Sequence, residues 1–292
     1  MSKANSRKFP VPARPNGSLL VPTWLSIALL SAFSSSALAN SGGIEFEDVH
    51  GTNSYGQTDS LTNNEINISD GFEGNVYGAY TKDNHQIVSG NTVTVSNIVN
   101  VTGNNYVGNV TGGAIYSAIG ADSVSATANN NLVTILDSRV EGKVHGGYVD
   151  VYPKYYHDDG IEDVYANVNA YANKNTIVVS DGAVITNYIY GGYAYIEIDS
   201  GNNSAQANDN TVTVSHSTVE DYVHGGRAIG ENITESSDEN STAITNNNSV
   251  TISSSEIYGN VYGGRANAIT GKGHAIAVAN NNTATVSSSY IY

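Results

Sequence analysis

The chain contains no cysteine, so no disulfide holds it together. Proline is nearly absent. Four of its five prolines (Pro10, Pro12, Pro15 and Pro22) stand close to the N-terminus, which leaves Pro153 alone in the remainder. That residue is expected in a loop, where a missing N–H does no harm. Basic residues are scarce: 12 Lys and Arg face 27 Asp and Glu, for a net charge of −15. So acidic a chain argues against nucleic acid and against anionic lipid as partners. No stretch after Asn40 shows a sustained helical period, which excludes a helical body.

What is present at the N-terminus is an export signal. Residues 1–17 are basic and free of acid, residues 18–33 form an apolar stretch, and Ala37-Leu38-Ala39 is a small-residue cleavage site. The stretch is too short for a transmembrane anchor and is interrupted by Pro22. Asn40 is therefore the expected first mature residue. Cleavage there removes Lys3, Arg7, Lys8 and Arg14 and no acid, which shifts the charge from −15 to −19. The only tryptophan, Trp24, leaves as well.

The rest is dominated by repetition. Seven copies of one pattern run to the last residue: Asn64-Glu-Ile-Asn-Ile-Ser69, Asn91-Thr-Val-Thr-Val-Ser96, Asn131-Leu-Val-Thr-Ile-Leu136, Asn175-Thr-Ile-Val-Val-Ser180, Asn210-Thr-Val-Thr-Val-Ser215, Asn248-Ser-Val-Thr-Ile-Ser253 and Asn282-Thr-Ala-Thr-Val-Ser287. The apolar positions alternate with polar ones, which marks half-buried strands. Each of the first six copies is followed by a second signature of the type Val-Tyr-Gly-Gly, at 76–79, 110–113, 144–147, 189–192, 223–226 and 261–264. Spacing from the first signature to the second is nearly constant outside the second copy. Spacing onward varies widely, so insertions collect at one corner, as they do in solenoids.

Gly74, Gly108, Gly142, Asn187, Asp221 and Gly259 stand four residues before the first glycine of each signature. These residue types tolerate left-handed backbone best, which predicts a bend at that column. One repeat buries too little to fold alone. Stacked copies pair strand on strand at roughly 4.8 Å. Stacking also aligns Asn64, Asn91, Asn131, Asn175, Asn210, Asn248 and Asn282 into one hydrogen-bonding column. The expected fold is therefore all-β. It is a parallel β-helix (β-solenoid) of about seven repeats over residues 61–292, after a signal peptide at 1–39 and a lead-in or cap at 40–60.

With its Asn-x-Val-Thr-Val-Ser and Val-Tyr-Gly-Gly repeats behind a signal peptide, the chain resembles the passenger domains of bacterial autotransporters, the type V secretion adhesins. The resemblance covers roughly residues 60–292. It implies a non-catalytic rod at the cell surface, outer membrane or extracellular space of a Gram-negative bacterium. Such a rod acts in adhesion, cell–cell aggregation or virulence, and its partner is a protein or glycan of a host surface or neighbouring cell, or a second copy. Family members end in an outer-membrane β-barrel that this sequence lacks, so it reads as an N-terminal fragment or a truncated gene, with membrane contact only through the missing barrel. Two other readings stand beside this one: a secreted glycan-active β-helix, and a free structural or self-associating secreted protein.

Chemistry is sparse. His145 and His224 share a repeat slot with Tyr77, Thr111, Tyr190 and Tyr262, which reads as a stacking column. Asp158, Asp159, Glu162 and Asp163 lie close together near the longest insertion and could offer Ca²⁺ hard oxygen ligands, but at no EF-hand spacing. A solvated acidic loop is the better reading. Arg227 and Arg265 share one slot, yet no carboxylate pair recurs at a spacing suited to a glycosidic bond. No catalytic residue and no cofactor is expected. All 20 tyrosines lie beyond Asn40, against two phenylalanines (Phe46 and Phe72), which suits either a contact surface or strand-topping residues.

Overall fold

In the computed structural model, the described residues are 124–153, 167–199, 201–233 and 238–292, preceded by separate strands between Ala37 and Ile119. Among them there is no helix, and the architecture is a parallel β-solenoid of about five turns. The turn count is thus slightly lower than the seven repeats expected from the sequence. The seven motif-bearing strands nevertheless lie side by side in one eight-stranded sheet.

From Leu132 to Val278 each repeat makes one coil of four strands. The asparagine strand comes first, as in Thr211–Ser215. A two-residue strand follows, as in Thr218–Val219, then a long one, as in Val223–Asn232. A short closing strand, as in Ser241–Ile244, ends the coil. Every strand pairs in parallel with its counterparts in the neighbouring turns, Val212 with Ile177 below and Val250 above. The stack contains sheets of eight, seven and thirteen strands. The lead-in takes part too: Val49–His50 and Asn53–Ser54 pair with Gly74–Thr81. Ala37–Leu38 pairs with Glu65–Ile68. The remainder of the signal segment, and of residues 40–60 beyond these strands, lies outside the described residues.

Alternation sends Val212 and Val214 inward and Thr211, Thr213 and Ser215 outward. Two apolar cores result. One holds Val and Ile from the asparagine strand, the short strand and the start of the long strand, such as Val133, Ile135, Val140 and Val144. The other lies between the far half of the long strand and the closing strand, whose inward residues are mainly alanines: Ala126, Ala128, Ala170, Ala172, Ala205, Ala207 and Ala243.

Between the two cores the coil is pinched. Asn175 and Asn210 are fully buried there, beneath the glycine pairs. A Cβ on Gly147, Gly192 or Gly226 would lie 2.5–2.6 Å from the side-chain nitrogen of Asn175, Asn210 or Asn248 and would also strike the carbonyl of Ala128, Ala172 or Ala207. The two sequence signatures are thus two sides of one contact. Glycine is required because the asparagine column and the closing strand leave no room for a side chain.

The column itself is fully hydrogen-bonded. The Asn175 main-chain N–H and side-chain amide both donate to Oδ1 of Asn210, at 2.9 and 3.1 Å. Asn210 donates likewise to Asn248, and Asn248 to Asn282. The second amide hydrogen of Asn175 goes to the Ala128 carbonyl at 3.0 Å. Asn64 and Asn91 lie outside the described residues.

The predicted bend is present at Gly142, Asn187, Asp221 and Gly259, but the left-handed backbone expected with it is not. Among its described members only Gly74 has a positive φ. Gly142 and Gly259 are instead small because a Cβ would meet the backbone of the turn below, at 2.7 and 2.8 Å. The left-handed corners fall on either side of the asparagine strand. Asn130, Lys174, Asp209, Asn247 and Asn281 precede it, with φ of 53–59°. Asp137, Asp181, His216, Ser254 and Ser288 follow it, with φ of 47–61°. Pro153 is also corrected: it is the last residue of the strand Val144–Pro153, paired with Ile119 on one side but beyond Val151, the last residue of that strand paired on the other, so it sits at a local edge.

Candidate functional site: a tyrosine groove with an acidic end

The long strands bend at the glycine pair, and the register skips the first glycine: His145 pairs with Tyr190 and Gly147 with Gly192. In a straight strand, residues three apart point to opposite faces. Here they converge. The rings of His145 and Tyr148 lie 4.8 Å apart, those of Tyr190 and Tyr193 5.2 Å, and those of Tyr77 and Tyr80 5.1 Å. The outer face of this sheet is therefore concave along the glycine line, and aromatic side chains fill the concavity.

The rings also stack from turn to turn. Tyr148 lies on Tyr193 at 5.1 Å and 9°, and Tyr188 on Tyr222 at 5.0 Å and 3°. Tyr116 extends the first stack by contacting both Tyr80 and Tyr148, across the slot where Ala114 leaves space. Each stack carries a cation. Lys143 Nζ sits 5.0 Å from the centre of the Tyr188 ring, and the Arg227 guanidinium sits 5.5 and 5.7 Å from Tyr190 and Tyr193. Arg227 also donates to the Tyr190 hydroxyl. The electron-rich ring faces account for this preference.

The histidines form the floor. His145 and His224 are 5 % and 1 % exposed, and burial holds both well below the ordinary imidazole range, at about 3. Nearby cations, Lys143 for His145 and Arg227 and Arg265 for His224, act in the same direction. Both rings are neutral at pH 7, and His145 Nε2 and His224 Nδ1 are buried without a hydrogen-bond partner. Tyr116 and Tyr188 are pushed up to about 12, chiefly by burial.

Beyond the stack, the long strands carry three carboxylates that the sequence reading did not bring together. Glu197 and Glu231 are direct neighbours in register, and Asp150 pairs with Tyr195. The Tyr195 hydroxyl donates to Glu197 at 2.5 Å and lies 3.5 Å from Glu231. Tyr148 donates to Asp150 at 2.9 Å. Burial, and after it the charge of Glu197, raises Glu231. Burial also raises Asp150, against its hydrogen bond from Tyr148 and with help from Glu197. The single ion pair among the described residues is Arg139 with Glu141, so none of these three carboxylates is neutralised by a salt bridge.

The sequence-predicted Ca²⁺ candidates Asp158, Asp159, Glu162 and Asp163 lie outside the described residues. Among the described residues no group of three or more His, Asp or Glu side chains is arranged to hold a metal ion. Arg227 and Arg265 do share a slot, paired in register above Tyr193.

A second asparagine column went unread. The N–H groups of Asn173, Asn208, Asn246 and Asn280 donate to Oδ1 of Asn129, Asn173, Asn208 and Asn246 at 2.7–3.0 Å. Its signal was present, since Asn-x-Asn precedes each of the last five strands, with the left-handed residue in the middle.

These features define a class, a parallel β-solenoid with an outward tyrosine groove. Compared with protein-family models, curated proteins and solved structures, the chain matches none.

Proposed function

We propose that the chain is the exported, non-catalytic β-helical passenger region of an autotransporter-like protein, and that it acts in adhesion or cell–cell aggregation at the surface of a Gram-negative cell. The observation that carries this reading is the outward tyrosine groove on a rod whose other polar columns are spent on holding the stack together. Tyrosine gives large contact area at small entropic cost. A rod built turn upon turn holds such a groove away from its point of attachment. The N-terminal segment fits export by the general secretory route, with Asn40 as the first mature residue.

Two measurements test the proposal. N-terminal sequencing of the chain recovered from the periplasm of a Gram-negative host should begin at Asn40. Beads coated with the purified chain should clump, or adhere to cells, more than beads coated with an unrelated acidic protein. An uncleaved N-terminus together with inert beads refutes it.

A second reading, a glycan-active enzyme, draws on one observation: Glu197 and Glu231 share a tyrosine hydroxyl, and burial raises Glu231. It predicts turnover of a polysaccharide that is lost in Glu231→Gln.

A further inference from the structure

The three carboxylates beside the tyrosine stack point to a ligand of opposite charge. Asp150, Glu197 and Glu231 are half-buried on one outward face. Like charges directly opposite one another in a sheet destabilise it. The chain nevertheless places Glu197 against Glu231 and provides neither with a salt bridge. Further along the same strands the surface shows what it accepts, for there Arg227 lies over Tyr190 and Tyr193, in register with Tyr193 and on the same strand as Glu231. At Tyr195 the equivalent neighbours are Asp150 below and Ile229 above, so no cation stands level with this ring and its carboxylates.

We propose that the patch formed by Tyr148, Asp150, Tyr195, Glu197 and Glu231 docks the arginine or lysine side chains of a basic segment on a partner protein. A planar guanidinium suits it best. It can pair with a carboxylate through two hydrogen bonds while lying against a tyrosine ring. Charge complementarity favours the same occupant, since the net charge of −15 draws basic partners and repels acidic ones. The tyrosine faces deeper in the groove are stacked on one another, which leaves hydroxyls and carboxylates as the groups presented at this end. The inference holds whether or not the chain is displayed on a cell.

The test is calorimetric titration of the full chain with an oligoarginine peptide at physiological salt, beside a neutral oligosaccharide. The peptide should bind and the sugar should not. Glu197→Gln combined with Glu231→Gln should weaken peptide binding roughly tenfold. These changes remove repulsion and keep acceptors for Tyr195, so the fold should persist, as circular dichroism will report. The control is Asp137→Asn combined with Asp181→Asn, the same charge change at exposed corners where asparagine accepts the left-handed backbone. It should alter binding by less than about twofold. Equal losses in both double variants, no peptide binding, or binding of the sugar alone would each overturn the proposal.

Discussion

The two cores of the coil are built on different terms. The first is filled by Val and Ile, and its walls stand apart by the width of branched side chains. The second is walled on its closing side by alanines, and the backbone there approaches the glycine pair so closely that a carbonyl occupies the place of a Cβ. Burying a Val or Ile stabilises by roughly 1.5–3 kcal/mol, and an alanine methyl contributes much less. The first core therefore rests on apolar burial. The second rests more on hydrogen bonds, because both asparagine columns run along its border. The comparison teaches that one repeat can stack by two mechanisms, and that the pinch between them is where tolerance to change should be least.

The largest effect is expected at the pinch. Gly192→Val places atoms on the Ala172 carbonyl and the Asn210 side chain, and should abolish the cooperative thermal transition seen by circular dichroism. Asn210→Ala should cost about 3–5 kcal/mol in urea unfolding, because it strands two buried donors of Asn175. A loss under about 1 kcal/mol would remove the asparagine column from the account. In the first core, Ile252→Ala should cost about 2–4 kcal/mol.

Acid should act from outside both cores. His145 and His224 stay neutral in the folded chain down to about pH 3, whereas an unfolded histidine protonates near 6.5. Stability is thus complete above about pH 6.5 and falls as pH drops toward 3, by about 2 kcal/mol per histidine at pH 5. His145→Phe with His224→Phe should flatten that slope. The smallest effect separates the cores most cleanly. Ala205→Val adds volume where the walls are close and should destabilise by about 1–2 kcal/mol, although the same residue is native at Val212 in the first core.

Much of the architecture was legible because it is periodic. Alternating Val and Thr, the recurrent asparagine and the glycine pair each mark a column, and columns need only a count along the chain. The bends stand where the sequence put them, but left-handed backbone was expected at the wrong column because a glycine reads first as conformational freedom. Only the coil shows that Gly142 and Gly259 are small for want of space. The Asn-x-Asn corner was missed although its letters were present, since in a chain so rich in asparagine the outer residue looks like composition.

The acidic patch was not legible at all. Asp150 pairs with Tyr195 and Glu197 with Glu231, pairs separated by different stretches of sequence because insertions differ from turn to turn. By itself the sequence determined a parallel stack of strands with asparagine and valine columns, since alternation and repetition are local properties of the chain. The pinch, the concave groove and the meeting of three carboxylates were decided by the tertiary structure alone, because each depends on which residues the register of the coil brings level with one another.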